Sequence, residues 1–171
     1  FKVDYFESIM PTDEQSIISY LSSGAVYGVR ESTAKKIVEK FGTDSLEIML
    51  TDPMRLAEIK GISKARAEKI GASYLELQSM QSIIMFLQPY NISSAMAIKV
   101  HQALGGNAVS MIRENPYILA DAVDGISFKT ADNIAYIMGL PKNSPLRIQS
   151  GIKYILNSAA YNAGHTYLPK D

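Results

Sequence analysis

The sequence contains 171 residues, of which 47% are hydrophobic and 20% are charged, and its formal net charge is zero. This composition is typical of a folded protein with one or two small domains, and it excludes a disordered chain. The absence of cysteine excludes disulfides, zinc–thiolate sites and iron–sulfur clusters, so we expect a cytoplasmic location. No apolar run reaches the roughly 18 residues of a membrane span, so no membrane contact is expected.

Helical spacing of apolar residues dominates the chain and predicts an all-α fold class. The predicted helices cover 13–22, 31–41, 44–51, 53–58, 63–70, 73–88, 94–104, 106–114, 116–122, 127–138 and 145–162. Residues 1–12 are predicted to be the tail of an upstream domain or a linker, with a strand where 1–6 alternate with period two. Because the chain starts at Phe1 without a methionine, we expect both ends to be cuts in a longer protein.

An internal repeat organises these helices. Gly-Ile-Ser occurs at 61–63 and again at 125–127, and both copies precede Ala, an acidic residue and Ile at matching offsets. Gly28 lies 33 residues before Gly61, and Asn91 lies 34 residues before Gly125. A two-part unit therefore occurs twice. The predicted divisions are a first unit over 13–80, a second unit over 81–140, and a C-terminal helix and linker over 141–171.

Each half of a unit contains a three-residue turn between two helices. The four turns are 28–30, 61–63, 91–93 and 125–127. A glycine in the first position permits a positive φ, the apolar second residue anchors the turn, and a small third residue lets another backbone approach. The amides of the turn and of the next helix N-terminus then face outward, an arrangement that binds phosphate without reading a base.

The DNA-binding candidates are the turn residues and the cations beside them: Gly28, Arg30, Lys35, Gly61, Ile62, Ser63, Lys64, Arg66, Ser93, Gly125, Ile126, Ser127 and Lys129. The turns at 61–63 and 125–127 rank first, because serine is small and can donate to phosphate. The turn at 28–30 ranks next, since bulky Arg30 either adds a contact or blocks approach. The turn at 91–93 ranks last, since Asn91 replaces glycine. For each cation the alternative is an ordinary solvated helix face.

No catalytic residue and no metal site are predicted. The pattern Gly-x-x-x-x-Gly-Lys-[Ser/Thr] does not occur in the sequence, so these residues are not expected to hydrolyse a nucleotide. His101 and His165 lack the spacing of metal ligands. The aspartates near the fourth turn are interpreted as capping and solvated residues: Asp121, Asp124 and Asp132. Most tyrosines fall among Ile and Leu at helical spacing, which favours core packing over base stacking.

The turn pattern resembles the helix-hairpin-helix motif, and a back-to-back pair of such motifs resembles the (HhH)2 domain of DNA repair and recombination proteins. We therefore expect two (HhH)2 units. The segments 20–42, 114–135 and 146–169 together resemble the N-terminal region of RecD-like helicases, the RecD/TraA-type branch that works without RecB and RecC. The resemblance covers nearly the whole chain, and the first two segments are its most specific parts.

The resemblance implies a module of an ATP-dependent helicase that moves 5′ to 3′ on single-stranded DNA in repair or recombination. The motor domain would follow these residues and would bind ATP and Mg²⁺, so no cofactor is expected in the present chain. The implied partners are single-stranded or forked DNA, held by its backbone, and the motor domain, with the protein a monomer. The alternative is a protein-docking or spacer module of the helicase without direct DNA contact.

Overall fold

Helices form the regular structure of residues 10–163, which are the residues that the computed structural model describes, with side chains as far as Ala160. The α-helices of this part are α1 (Glu14–Ser22), α2 (Glu31–Phe41), α3 (Ser45–Thr51), α4 (Lys64–Leu87), α5 (Ser94–Leu104), α6 (Ala108–Glu114), α7 (Ile118–Ala122), α8 (Phe128–Ile137) and α9 (Pro145–Ala163). Short 3-10 helices lie at Gly42–Asp44, Pro53–Glu58, Gln88–Tyr90 and Gly105–Asn107. No strand occurs within 10–163, which confirms the all-α fold class. The expectations for residues 1–9 and for His165 lie outside the described part of the chain.

Two compact units divide the chain, one ending at Gln78 and the other beginning at Ser79. Each unit has its own hydrophobic core, built from the apolar helix faces that the spacing predicted. The fully buried core of the first unit includes Ile17, Leu21, Ile37, Leu56 and Ile70. The fully buried core of the second unit includes Ile83, Leu87, Val100, Leu119 and Ile134. Burial of one such side chain stabilises the folded state by roughly 1.5–3 kcal/mol, so these faces hold the helices of each unit together.

The repeat is visible in the order of the helices. α2 and α5 both have 11 residues, and each is followed by a 3-10 turn and a helix of 7 residues. Gly42 and Gly105, which end α2 and α5, have positive φ values of 58° and 69°. Their ψ values, −136° at Gly42 and −162° at Gly105, lie outside the left-handed helical region. The chain continues directly into the 3-10 turn at these positions.

The helix α4 corrects one predicted boundary. Separate helices were predicted over 63–70 and 73–88, but the structure has one helix from Lys64 to Leu87. Gly71 lies inside this helix, where a Cβ would be only 2.3 Å from the Cβ of Pro53. The glycine therefore allows close packing against the 3-10 helix at Pro53–Glu58 and does not end the helix.

The last helix, α9, packs on the second unit. The Tyr154 ring of α9 stacks on Phe128 of α8, with ring centroids 5.3 Å apart and planes inclined by 21°. Phe128 also stacks on the buried Tyr117, at 5.8 Å. Another side of α9 is apolar and about half exposed, at Ile148, Ile152 and Ile155. These three residues follow the i, i+4, i+7 spacing of one helix face.

The substitution Gly71→Ala tests the close packing of α4 on Pro53. An alanine ordinarily stabilises a helix interior by up to about 1 kcal/mol relative to glycine. Here the added methyl group must displace Pro53, so we expect destabilisation of the first unit by roughly 1–3 kcal/mol in chemical denaturation. Gly151→Ala in α9 is the matched control, since its Cβ would lie 3.6 Å from the Phe128 ring in ordinary contact. Equal effects of the two substitutions would contradict the packing role.

Candidate nucleic-acid interface

All four predicted turns share one backbone feature. The first residue of each turn has a positive φ, as predicted: 78° at Gly28, 99° at Gly61, 59° at Asn91 and 96° at Gly125. The second residue is buried in three turns, at Val29, Ile62 and Ile126, and partly buried at Ile92. The apolar side chain therefore fastens each turn to the core of its own unit, while the residues around it stay at the surface.

In three of the turns, the N–H of the buried second residue donates to the backbone carbonyl of the residue three positions earlier. The Val29 N–H donates to the Val26 carbonyl at 3.3 Å, and the Ile62 N–H donates to the Ile59 carbonyl at 3.0 Å. The Ile126 N–H donates in the same way, to the Val123 carbonyl at 3.1 Å. Each of these bonds joins the first and fourth residues of a four-residue β-turn, and the third residue of that β-turn is Gly28, Gly61 or Gly125. A type II β-turn requires a positive φ at its third residue, which favours glycine there.

The third residue of each turn is the N-cap of the following helix. The Ser63 hydroxyl oxygen accepts from the Arg66 N–H at 3.3 Å. Ser93 and Ser127 cap α5 and α8 in the same way. Serine was predicted to donate to phosphate, and the structure shows in addition that its oxygen satisfies the third amide of the helix. The first two amides of each helix have no intrahelical acceptor and remain the donors of the turn.

In the first unit the turn at 28–30 and Ser63, the last residue of the turn at 61–63, line one groove with a volume of about 900 Å³, whereas Gly61, Ile62 and Lys64 are not among its lining residues. We call it the basic groove. Its lining includes Tyr27, Gly28, Arg30, Lys36, Ser63, Arg66 and Lys69. The sequence placed the two turns 33 residues apart, and the fold brings them to one surface.

The charge of the basic groove is of one sign. Four cations line it, at Arg30, Lys36, Arg66 and Lys69, and its described lining contains no carboxylate. Arg30, Lys36 and Lys69 are exposed, and none of them forms an ion pair within residues 10–163. The Lys36 ammonium lies 3.9 Å from the place that a Cβ on Gly61 would take, beside the second turn. The groove is therefore a local concentration of positive charge on a chain whose formal net charge is zero.

Lys35, a sequence candidate, does not line the basic groove. Its ammonium pairs with Glu31 at 2.7 Å, which lowers the pKa of that carboxyl through the hydrogen bond and the positive charge. Successive helix residues point about 100° apart, so Lys36 faces the groove when Lys35 does not. Lys36 and Lys69 were missing from the candidates. Helical spacing could have identified them, because Lys36 lies three residues after Thr33 and Lys69 lies three residues after Arg66. Thr33 and Arg66 both line the groove, and residues three apart share a helix face.

Arg66, a second sequence candidate, connects the two turns. One terminal nitrogen, Nη2, donates to the Gly28 carbonyl at 2.9 Å and to the Thr33 hydroxyl at 3.2 Å. The other, Nη1, donates to the Gly61 carbonyl at 3.2 Å. The half-buried guanidinium therefore contributes charge to the groove and also holds the first turn against the second.

The second unit has the same turns with different side chains. In the repeat, the positions of Arg30, Lys36, Arg66 and Lys69 are taken by Ser93, Lys99, Thr130 and Asn133. Three of the four cations are thus replaced by neutral residues. Lys99 lines a smaller cleft of about 360 Å³ together with Asp124. Near the turn at 125–127, the Met96 methyl group lies 3.1 Å from the place that a Cβ on Gly125 would take.

Lys129, the remaining candidate of the second unit, lines a separate cavity of about 280 Å³ beside Asp132 and Arg147. Both oxygens of Asp132 accept from Arg147, at 2.8 and 2.9 Å, and one also accepts from the Tyr117 hydroxyl at 2.7 Å. The Arg147 hydrogen bonds hold the pKa of Asp132 below its usual range. Burial, followed by the Asp132 hydrogen bond, raises the pKa of Tyr117 to about 12.

The interpretation of the aspartates as capping and solvated residues is corrected at two positions. Asp132 and Asp121 form ion pairs with α9, the latter with Lys153 at 2.8 Å. No group of three or more His, Cys, Asp or Glu residues that could hold a metal occurs among the described residues.

The prediction for tyrosines is confirmed at Tyr74 and Tyr117, which are buried. Tyr27 and Tyr136, which are 73% and 67% exposed, are exceptions to it.

These paired helices, joined by glycine or asparagine turns with buried apolar centres, define a tandem helix-hairpin-helix protein. Residues 21–72 match the family described as a SAM-like helix-hairpin-helix tandem. Residues 76–167 match the HHH domain of the ATP-dependent RecD2 DNA helicase, and the chain belongs to this family.

One curated relative is the ATP-dependent RecD2 DNA helicase of Deinococcus radiodurans, which is 26% identical over 163 residues. The alignment covers 94% of this chain and 22% of that protein, so the chain spans about a fifth of the length of its relative. No solved structure matches the chain. Within the described residues, every helix is too short or too polar to cross a membrane.

The substitution Arg66→Met tests the connection between the turns. Methionine keeps an unbranched apolar stem but removes the donors to Gly28, Thr33 and Gly61. We expect the first unit to lose roughly 1–2 kcal/mol of unfolding free energy, because net hydrogen bonds contribute about 0.5–1.5 kcal/mol each and these are partly solvated. Lys64→Met, on an exposed residue of the same helix, is the control and should change stability by less than about 0.5 kcal/mol. Equal stability of both variants in urea denaturation would argue against the connection.

The pairing of Asp132 with Arg147 predicts an acid-sensitive contribution to the second unit. The folded pKa of Asp132 lies below the ordinary value of 3.8, so its stabilising contribution is present above that value. It is lost as the pH falls through the lowered folded pKa. The stability difference between the wild type and Asp132→Asn should therefore be present at neutral pH and shrink on acidification. Thermal unfolding over this pH range measures it, with exposed Asp124→Asn as the control. A difference independent of pH would show that the carboxylate charge is not responsible.

Proposed function

We propose that this chain is a DNA-binding module that holds the phosphate backbone without reading the base sequence, as part of an ATP-dependent RecD2-type DNA helicase. The observation that carries the proposal is the basic groove, where two helix-hairpin-helix turns and four cations share one surface without a carboxylate. Membership of the RecD2 HHH family supports a helicase as the protein that contains it.

The chemistry of the groove suits a chain of phosphates. The first amides of α2 and α4 offer donors at the positive ends of two helix dipoles. Arg30, Lys36 and Lys69 add mobile charges around them, while Arg66 fixes the distance between the turns. None of these groups distinguishes one base from another, since phosphate contacts carry no sequence information directly.

The remainder of the helicase would supply the motor. Under this proposal ATP and Mg²⁺ bind in that motor, which would move 5′ to 3′, and the module holds single-stranded or forked DNA beside it. The relative from Deinococcus radiodurans, described as an ATP-dependent DNA helicase, supports this arrangement. Because the formal net charge of the chain is zero, no long-range attraction to DNA is expected. The groove cations of the first unit would attract the DNA at short range.

The second unit has a second candidate function, which is docking onto another protein surface. The replacement of three groove cations and the apolar face of α9 at Ile148, Ile152 and Ile155 favour it. Apolar residues exposed together on one face are typical of interaction surfaces. The two functions are compatible, because they use different units.

A DNA titration of three variants tests the proposed function. Lys36→Ala and Lys69→Ala each remove one groove cation, and Lys35→Ala removes a neighbouring cation outside the groove. All three variants carry the same net charge. We expect the first two to weaken binding to any sequence and to reduce the slope of log affinity against log salt by about 0.7–0.9 each. Lys35→Ala, which also frees the Glu31 carboxylate from its ion pair, should change both quantities less than either groove variant in fluorescence anisotropy with labelled single-stranded, forked and duplex DNA.

Two results would contradict backbone binding by the groove. One is the absence of binding to all three DNA forms at low salt, which would leave protein docking as the function of the chain. The other is an equal loss for Lys35→Ala and Lys36→Ala, which would mean that general charge and not the groove attracts the DNA.

A further inference from the structure

An exposed aromatic side chain stands at the edge of the basic groove. Tyr27 immediately precedes the turn at 28–30, lines the groove, and is 73% exposed. Its backbone is held in place, because the Tyr27 N–H donates to the Ser73 hydroxyl at 2.9 Å. A large ring is thus presented to solvent from a fixed backbone position.

The repeat provides an internal comparison for this tyrosine. Tyr90 occupies the same position before the turn at 91–93, but it is partly buried and packs on Phe86 with ring centroids 5.7 Å apart. The first unit has Ser23 where the second has Phe86. Among the described residues Tyr27 has no ring partner. The core of the first unit therefore does not require an aromatic side chain at position 27.

The surroundings of Tyr27 specify what its ring can bind. The groove cations attract phosphates, and a strand whose phosphates lie in the groove brings its bases to the groove edge. Every base has a π-face that stacks on an aromatic side chain, but in a continuous duplex each face is already covered by the next base pair. An unpaired base has a free face.

We infer that Tyr27 stacks on an unpaired base of a DNA strand held in the basic groove, so that the first unit prefers single-stranded DNA or an unpaired strand end over continuous duplex. This inference rests on the proposed function, because the cations must hold the strand before the ring can meet a base. Tyr27 is a specificity residue in this arrangement, and Arg30, Lys36 and Lys69 supply the attraction common to both DNA forms.

Binding of the complete chain to three labelled DNA molecules tests the inference: a single strand, a duplex of the same sequence, and the same single strand made of abasic nucleotides. Tyr27→Leu removes the ring and keeps an apolar side chain. We expect it to weaken binding to the single strand by about tenfold or more and to leave duplex binding unchanged. Tyr27→Phe should bind like the wild type, since stacking does not need the hydroxyl. Tyr136→Leu, at an exposed tyrosine of the second unit, should have no effect.

The abasic strand separates base stacking from backbone contact. Wild-type protein should bind it about as weakly as Tyr27→Leu binds the natural strand, and Tyr27→Leu should cause no further loss. Equal affinity of wild type for natural and abasic strands would overturn the inference, even if Tyr27→Leu failed to fold. An equal loss on single strand and duplex would also overturn it. Failure of the proposed function looks different, because then no DNA form binds or Lys36→Ala has no effect.

Discussion

The positive φ at the first residue of each turn is the constraint on which the rest of both units depends. It reverses the chain within a few residues, so that a buried Val or Ile can enter the core while the neighbouring amides stay at the surface. In the turn at 91–93, Asn91 adopts this conformation with φ of 59° and ψ of 29°, close to the left-handed region that asparagine tolerates better than most residues. The positive φ of the first residue is therefore kept in all four turns, although one of them lacks glycine.

Side chains rather than backbone distinguish the two units. In the first unit Arg66 donates to carbonyls of both turns, and its charge and those of three neighbouring residues face one groove. In the second unit Met96 lies beside the turn at 125–127 and the Thr130 N–H donates to the Ser127 hydroxyl, while Asp121 and Asp132 form ion pairs with residues of α9. Asp132 and Arg147 form such a pair, which ties α9 to the unit. The first unit thus has four cations along the groove at its turns, whereas the second unit has neutral residues at three of the four matching positions.

This difference changes which turns are attractive for DNA. From residue types alone, the turns at 61–63 and 125–127 ranked above the turn at 28–30, because they have a small third residue. The fold brings residues of the turns at 28–30 and 61–63 to one surface, so the cations near both turns line a single groove. The turn at 125–127 lies in a unit where three of the four matching cations are replaced by neutral residues. We therefore place the proposed interface in the first unit, with Arg30 as a contributor to its charge.

The sequence by itself determined the helices, the repeat and the positive-φ positions, because these follow from local rules of spacing and backbone sterics. It did not determine that 63–70 and 73–88 are one helix, since the reason for Gly71 is a contact with Pro53 on another element. Nor could it show that Lys36 faces the groove while Lys35 pairs with Glu31, or that Arg66 reaches Gly28 from 38 residues away. Only the tertiary structure decided these features, because they depend on which side chains from distant segments meet, and spacing along the chain does not contain that information.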